Sequence, residues 1–358
     1  MPNTEIVKIS EDITAADDAN LRTAADVIVA GGLVAFPTET VYGLGANGLS
    51  ASACAKIYQA KGRPPDNPLI LHISDISQID SLAAEVGWAA RALAESFWPG
   101  PMTLVLKRTS RVPDIVAGGL DTVGIRLPKG RVARELISRA GVPIAAPSAN
   151  VSGRPSSTRA EHVAEDLGGK VDMIIDGGLS VYGLESTIVD VSGAVPCLLR
   201  PGSVTLEQLE RIVGKVDTDP AVTALGLSGE RPKAPGMAYV HYAPKAELTI
   251  VVGDINQARV EIARLAQEQH NAARPGTKIA IITTDEGLES YSGVPARVLS
   301  LGGRFALGEV AASLYDTLRA LDERGVTHAF AEGFEETGIG FSIMNRLKKA
   351  AGYKIIQA

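Results

Sequence analysis

Four stretches of the chain collect polar side chains suited to holding small anions. In FPTETVYGLG, residues 36–45, Thr38, Glu39 and Thr40 follow directly on the apolar run Leu33 to Phe36. Open α/β sheets bind ligands just beyond the carboxyl ends of such strands, and the hydroxyls can donate and accept. A polar turn capped by hydroxyls uses the same residues. In AKGRPPDNPLILH, residues 60–72, Lys61 and Arg63 bracket Gly62, two prolines stiffen the loop, and Asn67-Pro68 leads into a strand. Two cations held in fixed places suit phosphate oxygens. Basic residues at a helix C-terminus also offset the macrodipole, which covers Lys61 but not the rigid Pro-Pro-Asp-Asn-Pro run. His72 ends that strand, where a lone histidine is more often structural. APSANVSGRPSST, residues 146–158, could present N–H groups and hydroxyls to an anion. A plain serine-rich loop is the alternative. The fourth set is scattered: Thr122 to Arg126, Glu185-Ser186-Thr187 and Leu199-Arg200-Pro201-Gly202. Arg126 sits mid-strand among apolar neighbours and needs a partner, either an internal acid or a bound carboxylate or phosphate.

Other chemistries are poorly supplied. There is no convincing Ser-His-Asp or Cys-His arrangement and no HExxH, so nothing suggests a covalent nucleophile. Cations, hydroxyls and glycine loops suit catalysis by positioning and charge stabilisation. The run Gly43 to Gly48 matches GxGxxG, a weak signal alone. Residues 37–42 separate it from the preceding strand, and the next helix begins after it. It reads as a loop needing unusual backbone angles, not as a dinucleotide site. The net charge of −6 is unlike a basic nucleic-acid-binding domain, so any RNA contact would use a local patch. Cys54 and Cys197 lie far apart, which argues against a disulfide framework or a structural zinc site. The N-terminus lacks an apolar h-region, and no run is long enough to span a bilayer. A cytoplasmic protein with no membrane contact is expected.

The elements that must position these groups alternate between helix and strand. A chain of 358 residues is comfortable for two domains. Helices are expected at 17–30, 52–60, 87–97, 130–140, 159–167 and 206–213, the last opened by a Thr205/Gln208 capping box. Strands are expected at 33–36, 69–73, 102–106, 123–127, 143–146, 173–175 and 187–191. Residues 214–246, rich in Gly, Pro and charge, read as a linker. Its end, PGMAYVHYAP, is too aromatic to be freely solvated and should dock on something. Strands at 248–252, 278–283 and 327–331 then alternate with helices at 256–270, 308–323 and 340–351. That pattern argues a parallel sheet covered on both faces.

FPTETVYGLG, KGRPPDNPL, PGPMTLVL, GIRLP, PSAN, ESTIVD, LRPG, PGMAYVHYAP and GIGFSIMNRLKKAAG together resemble, in order, the threonylcarbamoyl-AMP synthase family in its long form. The resemblance implies a YrdC-like catalytic domain at 1–213 with a twisted mixed sheet flanked by helices. It implies a linker at 214–246 docking over the active site, and a smaller Rossmann-like α/β domain at 247–358. The implied activity is a nucleotidyltransferase that makes L-threonylcarbamoyladenylate from L-threonine, bicarbonate and ATP with Mg²⁺, for modification of tRNA by a separate threonylcarbamoyl transferase. By matching motifs, Lys61 and Arg63 would be catalytic. Thr40, His72, Arg126, Ala146 (by its backbone) and Ser186 would line the threonine pocket. Lys61, Arg63, Asn67, Thr122, Ser148, Asn150, Ser156, Arg200 and Tyr242 would hold ATP. The linker departs from the family pattern, with Ala234, Ala238 and Val240 where the family has serine and basic residues. The alternatives are a double-stranded RNA or ribosome-binding module, and a related enzyme using carbamoyl phosphate. The acidic balance opposes the first, and the missing zinc-binding cysteine pairs oppose the second.

Overall fold

The computed structural model describes residues 4–223, 232–237 and 242–358. By its internal contacts the chain divides into two units. One comprises Met1–Ser152 and Ser156–Ala238, the other Gly153–Pro155 and Tyr239–Ala358. Among the described residues no helix is long and apolar enough to cross a membrane.

The first unit is built on one mixed sheet. Its strands are β1 (Glu5–Lys8), β2 (Val34–Phe36), β3 (Gly43–Asn47), β4 (Ile70–His72), β5 (Met102–Lys107), β6 (Thr122–Arg126), β7 (Ile144–Ala145), β8 (Met173–Asp176), β9 (Thr187–Asp190), β10 (Cys197–Arg200) and β11 (Asp217–Thr218). Their order is β1-β8-β2-β3-β7-β4-β6-β5-β9-β10-β11. The helices Ala15–Val29 and Arg131–Ala140 bury one face of the sheet. The first helix starts where it does because Thr14 and Asp17 form a capping box. It holds to the sheet through Leu21, Ala24, Ala25 and Ile28, a 3.6-residue stripe of buried side chains.

Four strands here were not expected: β1, β3, β10 and the two-residue β11. The larger correction is β3. The Gly43–Asn47 segment is a strand, not a loop, and it pairs antiparallel with β2 across the connection 37–42, Phe36 facing Gly43. The glycines are there for closeness. A Cβ on Gly45 would lie 2.8 Å from Ile144 and 2.9 Å from the Phe36 ring. The same repeat that suggests a phosphate loop therefore serves close strand packing. Residues 214–223 and 232–237 also differ from a free tether. β11 extends the sheet, Pro220–Thr223 is a short helix, and Val216, Val222 and Ala234 are buried.

The second unit is a parallel five-stranded sheet of β12 (Glu247–Val252), β13 (Ile279–Thr283), β14 (Arg297–Ser300), β15 (His328–Glu332) and β16 (Ile355–Gln357), in the order β14-β13-β15-β12-β16. The helices Ile255–Asn271, Leu307–Glu323 and Gly338–Ala350 cover it. Consecutive residues Ile250 and Val251 are both fully buried, which requires layers on both faces. The edge strands β14 and β16 went unanticipated because they are short and only half-buried.

Candidate active site

β4 and β6 run parallel with His72 opposite Arg126, so the two side chains leave the same face of the sheet. The turn of the β2–β3 hairpin meets them. Arg126 Nη2 donates to Glu39 Oε1 at 2.7 Å, Nη1 to Thr40 Oγ1 at 2.9 Å, and Nε to the Gly100 carbonyl at 3.2 Å. The Arg126 and Glu39 side chains are only 5% and 6% exposed. Thr40 Oγ1 lies 2.8 Å from Thr38 Oγ1, which donates to the Val41 carbonyl. Every hydroxyl of this turn is thus fixed. Burial works to raise the Glu39 pKa, but the charge and hydrogen bond of Arg126, with backbone N–H groups, outweigh it and hold the carboxyl below its ordinary range. His72 takes the opposite course. Complete burial, and then the Arg126 charge, pull its pKa down to about 3, so the ring is a neutral imidazole at physiological pH. Its Nδ1 lies 3.2 Å from the Ile70 carbonyl, and the Phe36 ring meets it edge-on with centroids 6.1 Å apart.

A second cation stands on β10. Arg200 donates through Nε and Nη2 to the Ser186 carbonyl at 3.1 and 3.0 Å, and through Nη2 to Ser186 Oγ at 3.2 Å. Its Nη1 reaches the Pro235 carbonyl at 3.1 Å, so part of the region read as a linker folds onto this arginine. Ser186 Oγ is also 2.8 Å from Thr103 Oγ1. Gly202 permits this approach, since a Cβ there would fall 2.5 Å from the Thr187 nitrogen. Ser156 Oγ donates to Glu185.

The third group surrounds the loop after β7. The helix Ala51–Lys61 ends at Gly62 in the left-handed conformation, φ 62°. This turn buries Lys61, whose Nζ donates to the carbonyls of Ser148 and Asn150. Ser148 Oγ donates to Asn150 Oδ1 at 2.5 Å. Arg63 folds over its own proline-rich loop, reaching Asn67 Oδ1 at 2.5 Å and the Pro68 carbonyl at 2.9 Å. The Ala146 N–H is committed to the Ile70 carbonyl. Thr122 starts β6 at the opposite end from Arg126, roughly 13 Å along the strand. Tyr242 belongs to the second unit. It has φ 68°, packs on Tyr315 with centroids 5.3 Å apart, and lies under the Arg346 guanidinium at 5.7 Å. Tyr239 and His241, like Ala238 and Val240, fall outside the described residues.

Sequence reasoning noted Glu39 only as part of a polar turn and Glu185 only as part of a scattered set, giving neither a role, and passed over Thr103. Glu39 and Glu185 had one signal in common: an acid beside a strand with no charged neighbour in sequence, which on burial must find a distant partner. Among the described residues no group of three or more His, Cys, Asp or Glu side chains could hold a metal ion.

Residues 26–202 match the family described as telomere recombination, and residues 204–352 match the threonylcarbamoyl-AMP synthase C-terminal domain. The chain is 47% identical over 354 residues to the threonylcarbamoyl-AMP synthase of Pyrococcus abyssi, covering 99% of both chains. It is 45% identical to that of Bacillus subtilis, covering 98% of both. A crystal structure of the P. abyssi relative complexed with L-threonine superposes with a TM-score of 0.92 at 46% identity, over 99% of this chain and 100% of that one. With both of its units matched and its full length aligned, the chain belongs to the threonylcarbamoyl-AMP synthase family.

Proposed function

We propose that this protein condenses L-threonine, bicarbonate and ATP into L-threonylcarbamoyladenylate, releasing pyrophosphate, to supply the threonylcarbamoyl group that a separate transferase places on tRNA. The observation that carries this reading is the buried rung of Arg126 and neutral His72, closed by Glu39 and Thr40. An arginine held rigidly by an internal acid is a preorganised seat for a substrate carboxylate. A neutral imidazole has one donor and one acceptor, which suits the threonine hydroxyl. A site built to bond a hydroxyl rejects valine strongly, because its buried polar groups would be left unpaired.

In the reaction, the threonine amine takes up bicarbonate, loses water, and becomes an N-carboxylate. One carboxylate oxygen attacks the α-phosphorus of ATP as the bond to pyrophosphate breaks. Lys61, Arg63 and Arg200, with the Mg²⁺ that accompanies ATP, neutralise the charge gathering on the phosphates. Ser148, Asn150, Asn67 and Ser156 fix the loops that carry these cations. Residues 232–235, anchored on Arg200 through the Pro235 carbonyl, help shield the labile product from water. Pyrophosphate release should be measured with each of ATP, Mg²⁺, bicarbonate and threonine omitted in turn. Release that needs both threonine and bicarbonate, and fails with valine, supports the assignment. Release from ATP alone overturns it.

A further inference from the structure

The second unit has a crevice of its own. β12 and β15 are neighbours, yet the chain leaves their carboxyl ends in opposite directions: from β12 it crosses to β13, and from β15 to β16. Parallel crossovers are right-handed, so two that travel in opposite directions lie on opposite faces. Helix Ile255–Asn271 accordingly packs on Val251, Ile281 and Phe330, while Ile250, Ala280 and Ala331 are buried on the other side. The outgoing loops, at Gly253 and at Gly333, are drawn apart, and such switch points are where open parallel sheets take ligands. A cavity of about 680 Å³ occupies this place, within the usual size of small-molecule sites.

Its wall is held with unusual care. Glu332, whose side chain is fully buried, accepts from Arg259 Nε at 2.9 Å, Arg304 Nη1 at 3.1 Å, Thr283 Oγ1 at 2.6 Å and Tyr291 OH at 3.0 Å. Arg304 also donates to the Gly333 carbonyl at 2.8 Å and stacks 5.2 Å from the centre of the Phe334 ring. Beside it Phe305, which also lines the cavity, is 93% exposed. An aromatic ring left in water at the mouth of an apolar crevice is a stacking platform.

The charges select the ligand. Asp254 caps the helix that opens at the crevice, accepting from the N–H groups of Asn256 and Gln257. Arg304 shares Glu332 with Arg259, and Glu286 and Glu335 stand near it, so carboxylates outnumber arginines here. A phosphate would meet occupied donors and nearby carboxylates. A flat ring with hydroxyls and an amine would find a stacking surface and acceptors in Glu335 and Asp254. We propose that this crevice binds a nucleoside, its base on Phe305 and its ribose hydroxyls donating to these carboxylates. The inference does not depend on the reaction assigned to the first unit.

Adenosine, AMP and ATP should be titrated into the full-length protein, with hydrogen exchange locating the protected segments. Phe305→Ser and Glu335→Ala change exposed side chains and so leave the fold intact. The expected result is saturable adenosine binding with protection at 251–258, 303–307 and 333–337. Binding should be stronger than that of AMP or ATP at this site, and weakened about tenfold by Phe305→Ser through the lost aromatic stack. Protection confined to the first unit would overturn the proposal. So would affinity at these segments that rises with each phosphate, or binding indifferent to both substitutions.

Discussion

Replacing Glu39 tests how the first-unit site is held. Its carboxylate faces the Arg126 guanidinium at 2.7 Å, and both side chains are almost wholly out of water. Removing one partner of a buried pair leaves the other charge uncompensated, a loss of about 3–5 kcal/mol. Glu39→Leu should therefore destabilise the first unit by that amount. Glu39→Gln keeps an acceptor for Nη2 but loses the charge, and should cost roughly 1.5–3 kcal/mol. The double change Glu39→Leu with Arg126→Met removes both charges and should recover much of the loss. Because the chain forms two units, thermal unfolding followed by calorimetry should resolve separate transitions. Only that of the first unit should move. Under the proposed function, the KM for threonine should rise in Glu39→Gln more than kcat falls, because Arg126 stays charged but loses its orientation. Unchanged stability in Glu39→Leu would refute the ion-pair reasoning. An unchanged threonine KM would detach this pair from the substrate pocket.

The pH response of His72 follows from its pKa, held at about 3 against an ordinary 6.5. The unfolded chain binds this proton first as pH falls, so His72 lends its full stability above about 6.5 and loses it toward pH 3, at about 1.4 kcal/mol per pH unit. Imidazole resonances from labelled histidine, with the His72 signal assigned by its loss in His72→Asn, should show that this ring does not titrate between pH 5 and 8. Gly45→Ala pushes a methyl against Ile144 and the Phe36 ring. A loss of about 1–3 kcal/mol is expected, with a raised threonine KM because Phe36 buttresses His72. Lys61→Met keeps most of the volume but surrenders the bonds to Ser148 and Asn150. It should abolish most pyrophosphate release and increase hydrogen exchange across residues 148–152. Normal turnover would remove Lys61 from the mechanism.

What the sequence made legible, and what it hid, divides by range. The C-terminal sheet was readable because its inner strands are mostly apolar and alternate with long amphipathic helices, so local periodicity carries the fold. The first unit resists that reading where a residue's identity answers to something far away. Glycines 43 and 45 look like loop residues, yet they sit in a strand because Phe36, Ile144 and Ala146 leave no room for a side chain. Arg126 announced its need for a partner, but Glu39 stands 87 positions away, and no spacing rule links them. The choice posed at Arg126 between an internal acid and a bound carboxylate turns out not to be exclusive. A guanidinium has five N–H donors, and one edge held by Glu39 and Thr40 fixes the plane in which a substrate would be met. The ion pair therefore supports the functional reading of this arginine instead of replacing it. The same holds for Arg200, which the Ser186 and Pro235 carbonyls lock in place. Cations secured this thoroughly lose little freedom when a ligand arrives, and such preorganisation is how positioned charge can accelerate phosphoryl chemistry.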